Sequence, residues 1–366
     1  TFGEHPMAAD LDQDGEIELL VEYSDGIKVI SSDGTILSSF DHSCDVFTVG
    51  NMDAEESGLE LCIGSTDSLY LFYWDTAEEE FVEITSKHFD YSGNRIGNSL
   101  VCSDLTGDST EDVAYCISSV SGGANPAPRT LVVYDWESNE IPYTETWTVI
   151  PYNSNLAAGE LAGTKMVGYS FGSYDYLSDD PALLVEPDGS TQEFLCDSGS
   201  VDAGDLRCGV FADWTAVEGA DTFVLPSEKE CLAWNYEGAA LSGWPTGAYS
   251  GSRLNSLISP TALGDLDGNG LADVLFSTKL SGVYSLLAYG SDGEPLDNLD
   301  FPIALPDGVA ALGGFSIADT DRDDNIEIVF GTTDGLLHCW EFGTYSTGYA
   351  PWVQFQHDHG RTGVLK

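Results

Sequence analysis

Basic residues are scarce in this chain of 366 residues, in which Lys and Arg number 12 against 62 Asp and Glu, for a formal net charge of −50. A surface of this sign repels phosphate, so nucleic acid and anionic membranes are poor partners. Hydrophobic residues make up 42% of the chain, which is ample for a folded core. Two explanations of the charge stay open, separately or together: a salty or cation-rich medium, or carboxylates that coordinate metal ions.

Several familiar signals are also missing. No apolar run is long enough to predict a transmembrane helix. No G-x-S-x-G elbow, phosphate loop or paired-histidine metal helix is present, so no catalytic residue is predicted. The chain opens at Thr1 without a methionine or a signal-like segment, which is typical of a processed product or an excised fragment.

The eight cysteines form no CxxC pair, which argues against zinc ribbons and thioredoxin-like chemistry. Cys44 and Cys62 flank one acidic segment, and Cys102 and Cys116 flank another. If these segments join adjacent strands, each pair could form a disulfide across a hairpin. Alternatively, the four are small apolar strand residues, as the sequences ELCIGS and VAYC suggest.

The six histidines are scattered. His357 and His359 could bind a transition metal, but two histidines are too few for a site, and a closing segment is the favoured interpretation. The tryptophans mostly fall at strand positions, which favours core packing over a sugar-stacking platform.

A short acidic loop recurs along the chain. Its first copy runs from Asp10 to Glu18 with the sequence DLDQDGEIE, and copies of varying quality begin at positions 10, 51, 104, 160, 213, 265 and 319. Counting from the first residue of each copy, oxygen-bearing side chains stand at positions one, three, five and nine. The candidate metal ligands, which include the position-seven residues for their carbonyl oxygens, are Asp10, Asp12, Asp14, Glu16, Glu18, Asn51, Asp53, Glu55, Glu60, Asp104, Thr106, Asp108, Thr110, Asp112, Asp265, Asp267, Asn269, Leu271, Asp273, Asp319, Asp321, Asp323, Asn325 and Glu327.

Three copies depart from the pattern. The copy that begins at Asn51 is one residue longer, so its Glu60 is expected to reach an ion by another loop path. The fifth copy keeps Asp213, Thr215 and Asp221 but has Val217 at its centre, which leaves a weak site at best. In the fourth copy, which begins at Glu160, Thr164 and Lys165 replace the acidic centre, so this turn is expected to need no ion.

Each unit of about fifty residues also repeats a pattern of short apolar strands. One strand precedes the acidic loop, a second follows it, and an alternating third leads through a DG-type turn to a fourth. A four-stranded unit repeated seven times predicts an all-β, seven-bladed β-propeller with four-stranded antiparallel blades. The predicted blades are 1–45, 46–95, 96–150, 151–198, 199–250, 251–305 and 306–348, with a closing tail at 349–366, in a single domain 1–366.

The residue types of the loop suit calcium, which takes six to eight hard oxygens at about 2.3–2.6 Å. An EF-hand is rejected because position nine, not position twelve, is acidic and strands flank the loops. Another possibility is that the acidic turns cap hairpins with Asx-type hydrogen bonds. Four well-matched copies argue against it, because grouping three carboxylates without a cation is costly.

On these motifs the chain resembles the FG-GAP/VCBS repeats, which form the blades of integrin-α-type propellers and of many bacterial secreted proteins. The resemblance covers most of the chain and is specific in blades 1, 3, 6 and 7. The tail from Trp352 to Gly363 is similar to the W-x-x-F-x-x-D-x-x-R-T-G segment at the ends of bacterial secreted propellers. The resemblance implies a calcium-binding propeller with DxDxDG loops in the innermost hairpins and leaves the ligand open.

The motifs and the resemblance predict two alternative functions. The first is an extracellular or cell-surface binding, adhesion or scaffold propeller, stiffened by about four to five calcium ions, that recognises a protein or glycan at the cell surface or matrix. The second is a polysaccharide lyase or hydrolase on the same scaffold. A lyase needs a base and a charge-neutralising cation in one pocket, which the few basic residues make hard to arrange.

Overall fold

The structure is a computed structural model. It describes residues 6–11, 14, 16–23, 26–54, 58–89, 94–119, 127–149, 154–161, 163–171, 182–186, 190–194, 209–212, 214, 222–226, 231–244, 261–296, 301–319 and 325–344. Some strand residues in these ranges are described by their backbone alone.

The described residues form seven antiparallel sheets in which strands that follow each other along the chain are hydrogen-bonded neighbours. The first three sheets contain β1 (Met7–Ala9), β2 (Glu18–Tyr23), β3 (Gly26–Ile30) and β4 (Ile36–Phe40); β5 (Val46–Gly50), β6 (Glu60–Ser65), β7 (Ser68–Asp75) and β8 (Glu80–His88); and β9 (Asn94–Ser103), β10 (Asp112–Ser119), β11 (Ala127–Asp135) and β12 (Glu140–Val149). The fourth and fifth contain β13 (Ser154–Leu161), β14 (Thr164–Phe171), β15 (Ala182–Val185) and β16 (Thr191–Phe194); and β17 (Val210–Ala212), β18 (Thr222–Pro226) and β19 (Cys231–Asn235). The last two contain β20 (Ala262–Gly264), β21 (Asp273–Leu280), β22 (Val283–Tyr289) and β23 (Ile303–Ala304); and β24 (Ala311–Ala318), β25 (Asn325–Thr332) and β26 (Leu337–Thr344).

These sheets are the blades of a seven-bladed β-propeller. Blades 5 and 7 have three strands in the described part of the chain, where the sequence predicted four. The blade limits inferred from the repeats stay predictions, and the tail 349–366 lies outside the described residues.

Burial falls from the first strand of a blade to the last, as expected when blades pack face to face around an axis. Every residue of β5 and β6 is buried, including the charged Glu60 at the start of β6. The outer strand β4 has no buried residue and alternates between half-buried and exposed positions. First strands of adjacent blades contact one another, as β5 does with β9 and β13 with β17.

The ring closes between the first and last blades. Strand β1 contacts β24, and the Ser316 hydroxyl donates a 2.9 Å hydrogen bond to the Pro6 carbonyl oxygen. A small apolar cluster joins residues of β1, β2 and β3 to Val329 of β25. The first blade is therefore held by the last one through both packing and a buried hydrogen bond.

Aromatic side chains pack in the apolar core, as the sequence predicted. Trp74 and Trp234 are buried within apolar clusters, and Trp214 stacks on Trp244 with a ring-centroid distance of 5.2 Å. His338 is also part of this packing, because its ring stacks on Phe330.

The cysteine pairs do not form disulfides. The register places Cys102 opposite Val113, while Cys116 lies further along β10 at a β-bulge, so the two sulfurs do not face each other. Cys62 pairs with Thr48 in the sheet, and Cys44 precedes that strand. All four are thiols, and Cys62, Cys102 and Cys116 are buried strand residues, which confirms the alternative interpretation.

Among the described residues, no helix has the length and apolar character needed to cross a membrane.

Gly26 begins β3 at a place where a side chain does not fit. A Cβ atom there would lie 2.2 Å from the Phe40 carbonyl oxygen, a contact that requires the backbone to move. We therefore expect Gly26→Ala to lower the free energy of unfolding by about 1–3 kcal/mol. Ser32→Ala, in the exposed turn of the same blade, is the control and should change it by less than about 0.5 kcal/mol. Chemical denaturation of both variants measures the difference, and equal values would show that β3 tolerates the added methyl group.

Candidate functional site

The acidic loops occupy the hairpin between the first and second strands of their blades. In five blades the residue just before the loop pairs with the acidic residue that closes it. These pairs are Ala9 with Glu18, Gly50 with Glu60, Ser103 with Asp112, Gly264 with Asp273 and Ala318 with Glu327. We call Glu18, Glu60, Asp112, Asp273 and Glu327 the closing carboxylates.

In blades 1, 2, 3 and 6 the closing carboxylate accepts hydrogen bonds from backbone N–H groups at the start of its own loop. Asp273 Oδ2 accepts from Leu266 and Asp267 at 2.8 and 3.2 Å. The corresponding bonds run from Leu11 to Glu18 (3.0 Å), from Met52 and Asp53 to Glu60 (2.7 and 3.1 Å), and from Leu105 and Thr106 to Asp112 (2.8 and 2.7 Å). Blade 2 makes this contact despite its additional residue.

The closing carboxylates are buried, which makes their ionisation costly. Burial raises the pKa of Asp273 to about 8, with the nearby Asp267 charge adding to the effect. Burial likewise raises the pKa of Glu60 to about 7 and that of Asp112 to about 6. Asp273 Oδ1 and Glu60 Oε1 are buried and accept no hydrogen bond. Asp273 and Glu60 thus each have one oxygen held by backbone N–H groups and a second oxygen available to a cation.

Blade 6 brings three acidic side chains together. Asp265, Asp267 and Asp273 each offer an oxygen that lies within 4.8 Å of those of the other two. Two oxygens bound to one calcium ion at 2.3–2.6 Å are at most about 5 Å apart, so this spacing fits a shared ion. Gly270, with φ of +86°, provides the sharp turn at position six.

Hydrogen bonds inside the blade 6 loop hold these side chains in place. Asp265 accepts the backbone N–H groups of Asn269 and Gly270 at 2.9 and 2.8 Å, and Asn269 Oδ1 accepts that of Leu271 at 2.7 Å. These are the Asx-type bonds of the capping interpretation. They coexist with the three-carboxylate cluster, so capping and metal binding are compatible in this loop.

The blade 3 loop is arranged similarly with a different turn residue. Ser109 takes the position of glycine with φ of +83°. Asp108 accepts hydrogen bonds from the N–H and hydroxyl of Thr110 at 2.9 and 2.7 Å, and the hydroxyl bond is the main cause that lowers the Asp108 pKa. Asp104 Oδ1 accepts the Gly107 N–H at 2.6 Å, and Asp104 Oδ2 lies 2.7 Å from Lys165 Nζ of blade 4.

The other predicted loops are described in part. In blade 1, Asp14 Oδ1 accepts the Glu16 N–H at 2.7 Å, and Asp10 Oδ1 is buried without a hydrogen bond. In blade 7, Asn325 begins β25, and Glu327 is buried. The predicted ligands that lie outside the described residues are Asp12, Glu55, Asp321 and Asp323, together with Asp213, Thr215 and Asp221 of blade 5; the histidines His357 and His359 also lie outside.

Blades 4 and 5 place other residues where the closing carboxylate stands. In blade 4, Gly159 pairs with Met166, and in blade 5, Ala212 pairs with the buried Thr222. The sequence predicts Asp221, one residue earlier, as the last ligand of a weak site in blade 5, and that residue lies outside the described residues. Neither Met166 nor Thr222 carries a charge that a cation could neutralise.

The donor set fits calcium better than a transition metal. The grouped side chains offer carboxylate and amide oxygens, which hard cations prefer, with no histidine or thiolate among the cluster of Asp265, Asp267 and Asp273. Sequence reasoning found these residues but missed the backbone contact of the closing carboxylates, because the spacing of acids does not reveal which oxygen is already engaged.

No protein family matches the chain, and no curated protein matches it. Solved structures do match in fold. A crystal structure of BBS1N in complex with ARL6DN is similar with a TM-score of 0.63 and 10% identity, over 96% of this chain and 94% of that one.

Two further structures show the same relationship. Rhamnogalacturonan lyase PL11 of Bacillus licheniformis is similar with a TM-score of 0.54 and 13% identity, over 94% of this chain and 72% of that one. The Dos1 propeller has a TM-score of 0.53 and 12% identity, over 92% of this chain and 83% of that one. Identities this low support the propeller fold and leave the activity open.

Proposed function

We propose that this propeller binds calcium in its inner hairpin loops and serves as a rigid binding module outside the cytosol. The observation that carries the proposal is the blade 6 cluster, in which Asp265, Asp267 and the buried Asp273 direct oxygens to one place. Bound calcium would neutralise carboxylates whose ionisation is otherwise costly. The resemblance of the loops to FG-GAP/VCBS repeats supports the same conclusion.

The proposed location follows from the affinity expected of such loops. Sites with micromolar dissociation constants are filled where free calcium is near millimolar and are mostly empty in cytosol. We therefore place the protein in an extracellular or cell-surface setting. A native protein that fractionates with the cytosol would contradict this placement.

We expect metal-free protein dialysed against millimolar free calcium to take up about four to five ions per chain. Asp267→Ala should remove one ion, because it deletes a ligand of the blade 6 cluster, and it should leave the propeller folded. Elemental analysis counts the ions, and circular dichroism checks the fold. The control is Asp292→Ala, which removes an equal charge from an exposed turn of the same blade. No uptake by the wild-type protein, or equal losses in both variants, would disprove the blade 6 site.

The partner is proposed to be a protein or a glycan. Among the similar structures, BBS1N is seen in a complex with a second protein, so a propeller of this shape can serve protein recognition. A glycan array read with calcium and with a chelator tests the glycan alternative. Binding that requires calcium would connect the loops to recognition.

A polysaccharide-active enzyme is the second candidate, because one similar structure is a rhamnogalacturonan lyase. A lyase neutralises the uronate carboxylate with a cation, and calcium in a loop could do so where basic residues are few. Incubation with rhamnogalacturonan and calcium tests it, since β-elimination leaves an unsaturated product with a characteristic ultraviolet absorbance. Absence of this product with intact calcium binding favours the binding module.

A further inference from the structure

Lys165 occupies a defined place in the repeat. In blade 4 the hairpin between β13 and β14 is a short turn, in which Glu160 pairs with Lys165 and Gly159 pairs with Met166. Because Met166 stands where other blades have the closing carboxylate, Lys165 is the residue just before it. Glu111 of blade 3 and Ala272 of blade 6 hold the same place, each immediately before a closing carboxylate.

The residue at this position, just before the closing carboxylate, contacts the acidic loop of the preceding blade. The Glu111 N–H donates to the Asn51 carbonyl oxygen at 2.9 Å, and the Asn51 N–H donates to Glu111 Oε2 at 2.8 Å. The Ala272 carbonyl oxygen accepts the Trp214 Nε1–H of blade 5 at 2.8 Å. In blades 2 and 5 the loop is therefore bordered by one residue of the next blade, at or beside the first position of the loop.

Lys165 follows the same geometry and brings a positive charge to the blade 3 loop. Its Nζ lies 2.7 Å from Asp104 Oδ2, and both side chains are 27% exposed. The other oxygen of Asp104 accepts the Gly107 N–H. In blade 6 the equivalent Asp265 accepts backbone N–H groups, and its neighbour in blade 7 at the place of Lys165 is the apolar Ile326.

We propose that Lys165 is a tethered cation that competes with calcium for the first ligand of the blade 3 loop. This inference rests on the proposed calcium function. To bind Asp104, the ion must displace the ammonium group or remain beside it. A divalent ion and an ammonium group about 5 Å apart in water repel each other enough to weaken binding about tenfold. As the calcium concentration rises, the blade 3 loop is accordingly the last of the well-matched loops to bind an ion.

The same contact gives the metal-free protein a tie between blades 3 and 4. Lys165 satisfies Asp104 when calcium is scarce, so the blade 3 loop keeps its first acidic side chain neutralised without an ion. The expected signature is a calcium titration in which one site is about tenfold weaker than it would be without the lysine. Position 165 thus sets the affinity of a site to which it contributes no ligand.

Lys165→Met in the full chain tests the proposal. Competition with a chromophoric chelator should show one calcium site about tenfold tighter than in the wild type. Lys279→Met is the matched control: it removes an equal charge from a lysine that lies over the Tyr284 ring, 4.9 Å from its centroid, and it should leave the titration unchanged. In the double variant Lys165→Met with Asp108→Ala, the gain should disappear, because the blade 3 loop has lost a ligand.

The outcomes separate the two hypotheses. If Lys165→Met and its milder alternative Lys165→Gln titrate like the wild type while Asp267→Ala still loses one ion, the competition is disproved and calcium binding stands. A similar gain in Lys279→Met would also disprove it, since net charge alone would then explain the change. If the wild-type protein binds no calcium, both the inference and the proposed function fail.

Discussion

Adding millimolar calcium to the metal-free protein should raise its Tm by about 14 °C. A ligand that binds only the folded state at a hundred times its dissociation constant stabilises it by about 2.7 kcal/mol per site. The total stabilising free energy of four such sites, divided by the unfolding entropy of the whole chain at about 2.1 cal/mol/K per residue, gives a shift of this size. Differential scanning fluorimetry with and without a chelator measures it, and restoring calcium should reverse the loss.

Magnesium at the same concentration is the control for this shift. Magnesium prefers a small octahedral site and gives up its water reluctantly, so it should stabilise the protein far less. The Asp267→Ala variant should lose about a quarter of the calcium effect, since it loses one of four sites. Equal shifts with both ions would indicate general screening of the −50 net charge, and the loops would then have no specific role.

The metal-free protein should lose stability as the pH rises from 6 to 8. Burial raises the pKa of Asp273 from 3.8 to about 8 and that of Glu60 from 4.5 to about 7. A carboxyl group with a raised pKa binds its proton better in the folded state, so its contribution is complete below the unfolded pKa and is lost progressively up to the folded pKa. The loss over this range is on the order of 3 kcal/mol, measured by denaturation in a chelator.

Calcium and one substitution should each flatten this pH dependence. Calcium binds the ionised carboxylates, so the saturated protein should keep nearly the same stability at pH 6 and pH 8. Asp273→Asn removes the group with the highest of these pKa values, and its metal-free form should change little above pH 7. Asp292→Asn should retain the full wild-type slope. A slope that Asp273→Asn does not alter would place the titrating group elsewhere.

The fold was predictable because the blade is a local unit. Strand β6 and the loop before it carry their own signals, an apolar run and an acidic turn, and seven copies of these signals reinforce one another. The same argument identified Asp265, Asp267 and Asp273, which lie within a segment of nine residues and are held by one hairpin.

The contacts between blades were not predictable. Asp104 and Lys165 belong to different repeats, and nothing in the spacing of either loop indicates that they meet. The sequence interpretation treated Lys165 only as a missing ligand of blade 4. Its consequence for blade 3 depends on the rotation from one blade to the next, which is set by packing across whole sheets.

Strand register was the other feature that the sequence did not determine. A slip of one residue turns a side chain to the opposite face of a sheet, and a bulge causes such slips. Cys102 pairs with Val113 and not with Cys116, and Thr222 pairs with Ala212, at the place where other blades have the closing carboxylate. Apolar periodicity locates a strand without fixing which residue faces which.

The hydrogen bond from Ser316 to Pro6 joins residues 310 positions apart in sequence. A ribosome that has made the first blade must still produce five further blades before β24 arrives to cover β1. Until then β1 presents an unprotected apolar flank, a template for the wrong partner. Closing so long a loop is also slow, because its entropic cost precedes the contacts that reward it. The nascent propeller is thus vulnerable to aggregation until its seventh blade has folded against the first.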